Sequence, residues 1–352
     1  MILGHRHSRI SRVSYASCRS FSGISKGKEN EIVKKLFALI ITVVMLVSAS
    51  AAFAEALSVA VIYSDTVDDK GWCQAMDDGI KAVIAAGNEI EYTSVESVAI
   101  PDAQSVLDQM AGEYDVIIVH GAQFTAACLE TAAKYPEQTF VLGTTDQILG
   151  DNIFSFMPQS EEPGYVNGVM AGMITKVNKV GIVGSTDNGD SARYVRGFVL
   201  GLQASNPNCE YMLSWTNSFS DSVGAGDIAR AFIEAGCDVL VGAAQQAVGA
   251  IRAAETAGNV AYLGQTIYQM TDFPCTVIAA ADYDYSAVLL EVMAQMNNGV
   301  TGGVCIPMNY NNNSFAFNFS ESIDEDAKTA AIAVLEALTA APNTVDYVTA
   351  LD

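Results

Sequence analysis

The chain has 352 residues, half of them apolar, and a formal net charge of −22 at pH 7. This length allows two domains of ordinary size, and the apolar fraction excludes an intrinsically disordered chain. So large an excess of acidic residues repels nucleic acid and anionic membranes, so neither is expected as a partner.

Near the N-terminus, residues 34–54 have the order of a secretory signal peptide: two lysines, an apolar run, and small residues that end in Ala-Phe-Ala. The apolar run is too short for a membrane span. We therefore expect residues 33–54 to be a signal peptide, with a buried N-terminal helix as the alternative. The mature chain would begin near Glu55 and be periplasmic or otherwise extracytoplasmic. Since no cysteine lies at the cleavage site, a lipid anchor is not expected.

Residues 1–32 are rich in serine and arginine and precede the point where a signal peptide should start. The stretch GKEN at 27–30 can be encoded by a purine run like a ribosome-binding site, and Val33 follows where a GTG codon would start translation. We interpret residues 1–32 as a mis-called start, with a transit peptide as the alternative.

From residue 57 onward, short β-branched runs alternate with amphipathic helical patterns. In the first half, the pattern predicts strands over 57–64, 89–95, 114–121, 139–143 and 152–156, and helices over 70–87, 102–112 and 124–134. After Pro163 it predicts helices over 164–176, 191–204, 224–236, 246–257 and 285–298, and strands over 179–185, 209–215, 238–244, 260–264 and 276–280.

Strands that are apolar on both faces and joined through helices are typical of parallel sheets with helices on both sides. Because this rhythm occurs twice, we predict an α/β protein with two doubly wound lobes. We assign residues 55–160 and about 278–302 to the first lobe, and residues 161–277 and about 303–352 to the second. Ligands of such sheets bind at the carboxyl ends of the strands, so a cleft between the lobes is the expected site.

Few residues beyond position 54 favour catalysis. His120 is the only histidine there, which excludes a metal site built from several histidines and a catalytic apparatus with more than one imidazole. The same part of the chain has no nucleophile elbow, Walker A loop or dinucleotide fingerprint. Its six cysteines show no diagnostic spacing, and we expect most of them to be free buried thiols. We predict no enzyme activity, no metal and no cofactor.

Five motifs carry a resemblance to a known family. They are DKGWCQAMDDGIKA (69–82), FTAACLETAAKYPEQTF (124–140), NIFSFMPQSEEPGYVNGVMAGMITKVNKVGIVG (152–184), NSFSD (217–221) and EAGCDVLVGAA (234–244). In this order, over residues 57–320, they resemble the basic membrane protein family of ABC-transporter substrate-binding proteins, which includes purine nucleoside receptors. Within the third motif, the glycines at 164, 168 and 172 have a distinctive spacing.

The resemblance implies a type I periplasmic-binding-protein fold: two Rossmann-like lobes, a hinge, and a ligand held in the cleft between them. The implied function is that of an exported solute-binding protein, which delivers a purine base or nucleoside to an ABC permease. We expect a monomer. An extracytoplasmic sensor for a small ligand and, less favoured, a nucleoside-processing enzyme are the alternatives.

The resemblance also implies binding residues. Trp72 and Phe219 would stack on the ligand from the two lobes, and Asp65 and Asp146 match acidic positions of the family cleft. Alternatively, Trp72 could be a core residue at the N-terminal end of the apolar face of its helix. The remaining candidates are Cys73, Gln74, His120, Phe124, Asp221, Gln245, Thr266 and Tyr268.

Thr266 and Tyr268 replace the acids that hold ribose hydroxyls in the family, and a family lysine after the next strand is absent. Recognition of ribose is therefore less expected than stacking on a base.

Overall fold

The computed structural model describes residues 56–348 and residue 351. The predicted mis-called start and signal peptide, over residues 1–54, lie outside the described residues. Within the described part, strands and helices alternate as the sequence pattern predicts. Strand segments such as VIIV at 116–119 are buried along their whole length, as expected for strands covered on both faces.

The first half of the described chain contains, in order, β1 (Leu57–Ile62), α1 (Trp72–Ala85), β2 (Ile90–Val95), α2 (Ala103–Met110), β3 (Val116–Val119), α3 (Thr125–Lys134), β4 (Thr139–Gly143) and β5 (Ile153–Pro158). Short 3₁₀ turns at Ile100–Asp102 and Ala122–Phe124 precede α2 and α3.

The second half begins with α4 (Glu161–Ile174), β6 (Lys179–Gly184), α5 (Gly189–Ser205), β7 (Glu210–Trp215), α6 (Ser222–Glu234), β8 (Val239–Gly242), α7 (Ala247–Ala257), β9 (Ala261–Gly264), α8 (Ile267–Asp272) and β10 (Val277–Tyr283). It ends with α9 (Ser286–Asn297), β11 (Val304–Met308), β12 (Phe315–Phe319) and α10 (Glu325–Ala340). The predicted strands and helices are all present, whereas α8, β11, β12 and α10 are additional.

The strands form two six-stranded sheets. Sheet 1 has the order β11-β5-β4-β3-β1-β2 and is parallel throughout. Sheet 2 has the order β12-β10-β9-β8-β6-β7 and is parallel except for β12, which runs antiparallel to β10. We call each sheet with the helices that pack on it lobe 1 and lobe 2. The predicted α/β class with two Rossmann-like lobes is confirmed.

Two strands near the C-terminus lie in the opposite lobes to those that we assigned from the sequence. β10 lies in sheet 2, whereas residues 278–302 were assigned to lobe 1; β11 pairs with β5 in sheet 1, whereas residues from 303 onward were assigned to lobe 2. The assignment is wrong for these strands because periodicity identifies a strand but not the strand with which it pairs.

Three chain segments cross between the lobes, over 159–160, 284–285 and 309–314. They are tied to one another and to the strand ends by backbone hydrogen bonds. The Gln159 amide donates to the Met308 carbonyl at 2.8 Å, and the Asp284 amide donates to the Ser314 carbonyl at 2.9 Å. These segments form the hinge.

Helices α4 and α5 of lobe 2 pack unusually closely. A Cβ placed at Gly168 would lie 2.1 Å from the Phe198 carbonyl oxygen, and one at Gly201 would lie 2.1 Å from that of Tyr165. Such distances are far below van der Waals contact, so only glycine permits the two backbones to approach this closely. Gly164 and Gly197 make equivalent approaches.

No helix in the part of the chain that the structure describes combines the length and the apolar character needed to span a bilayer. The six cysteines of this part are free. Three of them are buried, Cys73, Cys128 and Cys237, which is half of the set rather than the predicted majority.

Candidate functional site

The loops at the carboxyl ends of the strands contain backbone positions in the left-handed region. Lys70, before α1, has φ 59°; Thr144 follows β4 with φ 61°; Asn217 and Ala244 follow β7 and β8 with φ 59° and 64°. Non-glycine residues adopt this conformation at a cost in free energy, so the surrounding contacts must hold them there. Their presence in both lobes indicates that the edges facing the cleft have a defined shape.

The start of α1 is fixed by Asp69. Its Oδ1 accepts hydrogen bonds from the backbone amides of Gly71 at 2.8 Å and Gln74 at 3.1 Å, and its Oδ2 accepts one from the amide of Cys73 at 3.0 Å. A carboxylate in this place satisfies amides of the first turn that have no partner within the helix and interacts favourably with the helix dipole. The loop that carries Trp72 is therefore rigid.

Trp72 is the first residue of α1 and is partly buried. One face of its indole stacks on the His120 imidazole, with ring centroids 4.8 Å apart and planes inclined by 17°. Tyr283 of lobe 2 approaches the indole edge-on at 5.8 Å. The indole thus lies between the two lobes. One face packs on His120 of lobe 1, and an edge faces Tyr283 of lobe 2, so the residue belongs both to the core and to the cleft.

His120 follows β3 and is completely buried. Its Nε2 donates to the Trp72 carbonyl at 3.0 Å, and its ring lies between Trp72 and Phe156, whose centroid is 6.2 Å away. Burial lowers the pKa of His120 to about 4, so the imidazole is neutral at physiological pH. His120 was expected to contact the ligand; its position makes it the support of Trp72.

Two hydrogen bonds join the Trp72 loop to lobe 2. Gln245 Nε2 donates to Asp69 Oδ2 at 3.3 Å, and Thr266 Oγ1 donates to the Lys70 carbonyl at 3.3 Å. Thr266 also caps α8 by accepting from the Gln269 amide. Both predicted residues therefore lie at the inter-lobe contact, and the lobes are closed on each other here.

A third contact involves Tyr268. Its hydroxyl donates to the Asp78 carboxylate on α1, and the Lys70 ammonium lies 5.9 Å from the centre of its ring. Beside this contact, α1 and lobe 2 form an open pocket of about 250 Å³, and Asp78 and Asp282 are among the residues that line it. Burial raises the pKa of Asp282 to about 6.

Other predicted residues lie away from the indole. Phe124 is buried in the hydrophobic core of lobe 1. Cys73, in the first turn of α1, is buried as well, and burial raises the pKa of its thiol to about 12. These two side chains are core residues in this conformation, and their contact with the ligand stays a prediction. Gln74 accepts from the Lys70 amide within the same loop.

The remaining candidates are at the rim. Asp65 and Asp146 are exposed in the loops after β1 and β4. Phe219 is 53% exposed in the loop after β7, and its carbonyl accepts from the Gln246 amide at 2.9 Å. Asp221 caps α6 by accepting from the Gly224 amide.

The hinge contains a polar cluster that the sequence does not predict. Ser160 and Tyr283 each donate to the carboxylate of Asp190 in the first turn of α5, and the two hydroxyl oxygens are 3.0 Å apart. Nearby, Arg193 makes a bidentate ion pair with Glu161, both contacts being 2.6 Å long. Because these residues come from distant parts of the chain, no local motif could identify them.

Comparison with known proteins supports the fold and identifies the family. A solved structure of an ABC transporter solute-binding protein from Conexibacter woesei superposes on 81% of this chain and 97% of that chain, with a TM-score of 0.68 and 22% identity. This similarity confirms the two-lobed type I periplasmic-binding-protein fold.

Two relatives are more similar in sequence. A Haloferax volcanii protein named as a candidate ABC transporter glucose-binding protein is 30% identical over 205 residues, which is 58% of this chain and 52% of the relative. A purine-binding protein of Brucella abortus is 29% identical over 189 residues, 53% of this chain and 54% of the relative. The chain spans about half of the length of these relatives.

The family model described as Bmp, ABC transporter substrate-binding protein PnrA-like, matches residues 56–336. The match covers nearly all of both lobes and confirms the resemblance carried by the motifs. The chain belongs to the Bmp family of PnrA-like ABC transporter substrate-binding proteins.

Proposed function

We propose that this protein is the exported solute-binding component of an ABC importer and that it binds a small purine-like ligand between its lobes. The observation that carries the proposal is the position of Trp72: a partly exposed indole at the mouth of a rigid loop, supported on one face by His120 and facing lobe 2 through Tyr283. A flat ring held against such a surface gains stacking energy and buries apolar area.

The contacts between the lobes support binding by closure. Gln245, Thr266 and Tyr268 reach across to the loop and helix that carry Trp72. A ligand on Trp72 would be enclosed by the same movement that forms these hydrogen bonds, as in hinge-closing binding proteins.

The same contacts favour a free base over its nucleoside. Thr266 caps a helix and bonds to Lys70, and the Tyr268 hydroxyl bonds to Asp78, so neither side chain is free to replace the ribose-binding acids of the family. A ribose in this place would lose its water without gaining charge-assisted hydrogen bonds, each worth about 1.5–3 kcal/mol. We therefore expect the base to bind at least as tightly as its nucleoside.

Calorimetry with adenine, guanine, hypoxanthine, their nucleosides and glucose tests the proposal. We expect a base to bind and no nucleoside to exceed its base in affinity. A nucleoside that binds ten or more times tighter than its base would contradict the role given to Thr266 and Tyr268. Binding of glucose alone would contradict the purine-like class, and mass spectrometry of the compound that co-purifies would then identify the ligand.

The partner of the loaded protein would be an ABC permease, and the protein itself would be monomeric and without enzymatic activity. Reconstituted permease with its ATPase should hydrolyse ATP faster when the loaded protein is added. The bound compound should be recovered unchanged. Chemical conversion of the ligand during incubation with the protein alone would favour an enzyme instead.

A further inference from the structure

Asp190 lies in the first turn of α5, directly after the carboxyl end of β6, and it is partly buried. Its two carboxylate oxygens accept hydrogen bonds from Ser160 of the first crossing segment and from Tyr283 at the end of β10, the latter at 3.2 Å. Tyr283 also packs edge-on against Trp72 at 5.8 Å. Asp190 is therefore separated from the indole by a single side chain, at the hinge end of the cleft.

The other carboxylates near the indole already have partners. Asp69 accepts from three backbone amides and from Gln245, and Asp78 accepts from Tyr268. An ionised carboxylate offers about four acceptor positions. Asp190 accepts from two hydroxyl groups, so it retains capacity for a further donor, whereas Asp69 does not. Asp78 also has free acceptor positions, but it is exposed, so water can fill them.

We propose that Asp190 is a specificity-determining residue, whose carboxylate accepts a hydrogen bond from an N–H or O–H group at the edge of the ring bound on Trp72. This inference rests on the proposed function, because it assumes that Trp72 carries the ligand. The ligand is then an uncharged or cationic ring compound with a donor at its edge. Anionic rings are disfavoured by repulsion, and rings without a donor displace water from the free acceptor positions of Asp190 without replacing its hydrogen bonds.

The groups that face Asp190 determine its charge. Arg193, on the same helix, is held by Glu161 of α4 in a bidentate pair, so it cannot fully compensate Asp190. Burial raises the pKa of Asp190 to about 6, while the hydrogen bonds from Ser160 and Tyr283 and the charge of Arg193 act in the opposite direction. A ligand that donates to Asp190 requires the ionised form, so its affinity should fall as the pH decreases through about 6.

The test is calorimetry on Asp190→Asn with whichever of adenine, guanine or hypoxanthine the wild type binds most tightly. We expect binding to weaken at least about tenfold at about pH 7.5, and the decrease in affinity towards about pH 5 to disappear. The matched control is Asp187→Asn in the same loop, where the carboxylate is 49% exposed and pairs with Arg196 at 2.9 Å; its affinity should stay within about twofold of wild type. As a donor-free ring, 1,3,7-trimethylxanthine should bind at least about tenfold more weakly than the best base.

Asp190→Asn is expected to fold. A carboxyl whose pKa is raised on folding stabilises the folded state at low pH, and this contribution is lost as the pH rises through about 6. At neutral pH the charged carboxylate therefore contributes no such stability. Removing its charge should not lower the melting temperature there. If the variant nevertheless fails to fold, Tyr283→Phe serves instead. It removes one donor to the ionised carboxylate, so the pH at which affinity falls should move upward.

Equal affinities of wild type and Asp190→Asn, or an unchanged pH profile in Tyr283→Phe, would overturn the inference and leave the proposed function intact. A wild-type protein that binds none of the three probes would instead overturn the proposed function.

Discussion

The indole of Trp72 has two sets of contacts with different consequences. Its stacking on His120 contributes to the stability of lobe 1, and its remaining surface faces the cleft. Replacing the ring should therefore affect both stability and binding, and the two effects can be measured separately.

We predict that Trp72→Ala loses about 1–3 kcal/mol of ligand affinity, or roughly 5- to 150-fold in Kd, because a base loses its stacking surface. Trp72→Phe should lose less, since a smaller ring remains. The measurement is calorimetry with the ligand that the wild type binds, together with the melting temperature of each variant.

Trp215 provides the control. It ends β7 in sheet 2, and Trp215→Phe should leave the affinity unchanged. The tryptophan emission of this variant should still change when ligand binds, because we expect Trp72 to be the tryptophan that contacts the ligand. A lower melting temperature with unchanged affinity in Trp72→Ala would show that the indole is a core residue only.

The buried imidazole of His120 predicts a pH dependence of stability. Its pKa is lowered from 6.5 to about 4 in the folded state, so the unfolded chain takes up a proton first as the pH falls. The free energy of unfolding contributed by His120 therefore decreases by about 2 kcal/mol between about pH 7.5 and 5. Urea unfolding of wild type and His120→Gln at both pH values measures this contribution. The free energy of unfolding of the wild type should fall more between the two pH values than that of the variant. A constant difference would contradict the prediction.

Individual site residues were predictable where the neighbouring residues in the sequence identify their position. Trp72 follows a strand, an aspartate and a glycine at a helix start, and the structure places it at the cleft. Phe124 has a similar local context but packs into the core, because its orientation depends on the turn before α3. Asp190 and Tyr283 are 93 positions apart in the chain, and only the completed hinge brings them together.

Among the elements, α4 and α5 depend on glycine for their packing. We predict that Gly168→Ala lowers the free energy of unfolding by about 1–3 kcal/mol, although alanine is favoured over glycine in a helix by about 1 kcal/mol. The physical reason is the Phe198 carbonyl oxygen, 2.1 Å from the new Cβ, which forces the helices apart. The urea midpoint measures the effect.

Gly226→Ala in α6 is the matched control. There the new Cβ would meet its nearest atoms at 3.3 Å, one of them the end of the flexible Arg230 side chain. Its stability should stay within about 1 kcal/mol of wild type. If both variants lose the same stability, the close approach of α4 and α5 is not the cause.

Strands and helices with strong periodicity were predicted well, and the missed elements have physical reasons. α8 has six residues, too few to show a helical period. The edge strand β11 contains Pro307, which is unfavourable in a strand interior, and the apolar run of the edge strand β12 is interrupted by Asn318. α10 had a usable signal: Asp324 caps it by accepting from the amides of Asp326 and Ala327. It lies beyond the motifs that carry the family resemblance.

At the scale of the whole molecule, closure depends on a few contacts between the lobes. We predict that Tyr268→Phe, which removes the hydrogen bond to Asp78, weakens ligand binding by about two- to tenfold, chiefly through faster dissociation. Stopped-flow fluorescence gives the rates, and small-angle scattering should show a larger radius of gyration in the unliganded variant.

The control is Tyr211→Phe on the edge strand β7, which removes a hydroxyl elsewhere in lobe 2. It should alter neither the association rate nor the dissociation rate of the ligand. An unchanged dissociation rate in Tyr268→Phe would mean that the Tyr268 hydroxyl does not help to hold the lobes together.

The last two strands of the chain join different sheets, β11 sheet 1 and β12 sheet 2, and this has a consequence for the order of folding. When residues up to β10 have left the ribosome, each sheet holds five of its six strands; β11 then completes sheet 1 and β12 completes sheet 2. Neither lobe is a continuous piece of chain that can mature alone while the other is still being made. The last fifty or so residues therefore finish both halves together, and a chain truncated before β11 should leave two open sheet edges at once, a state prone to pairing with other chains.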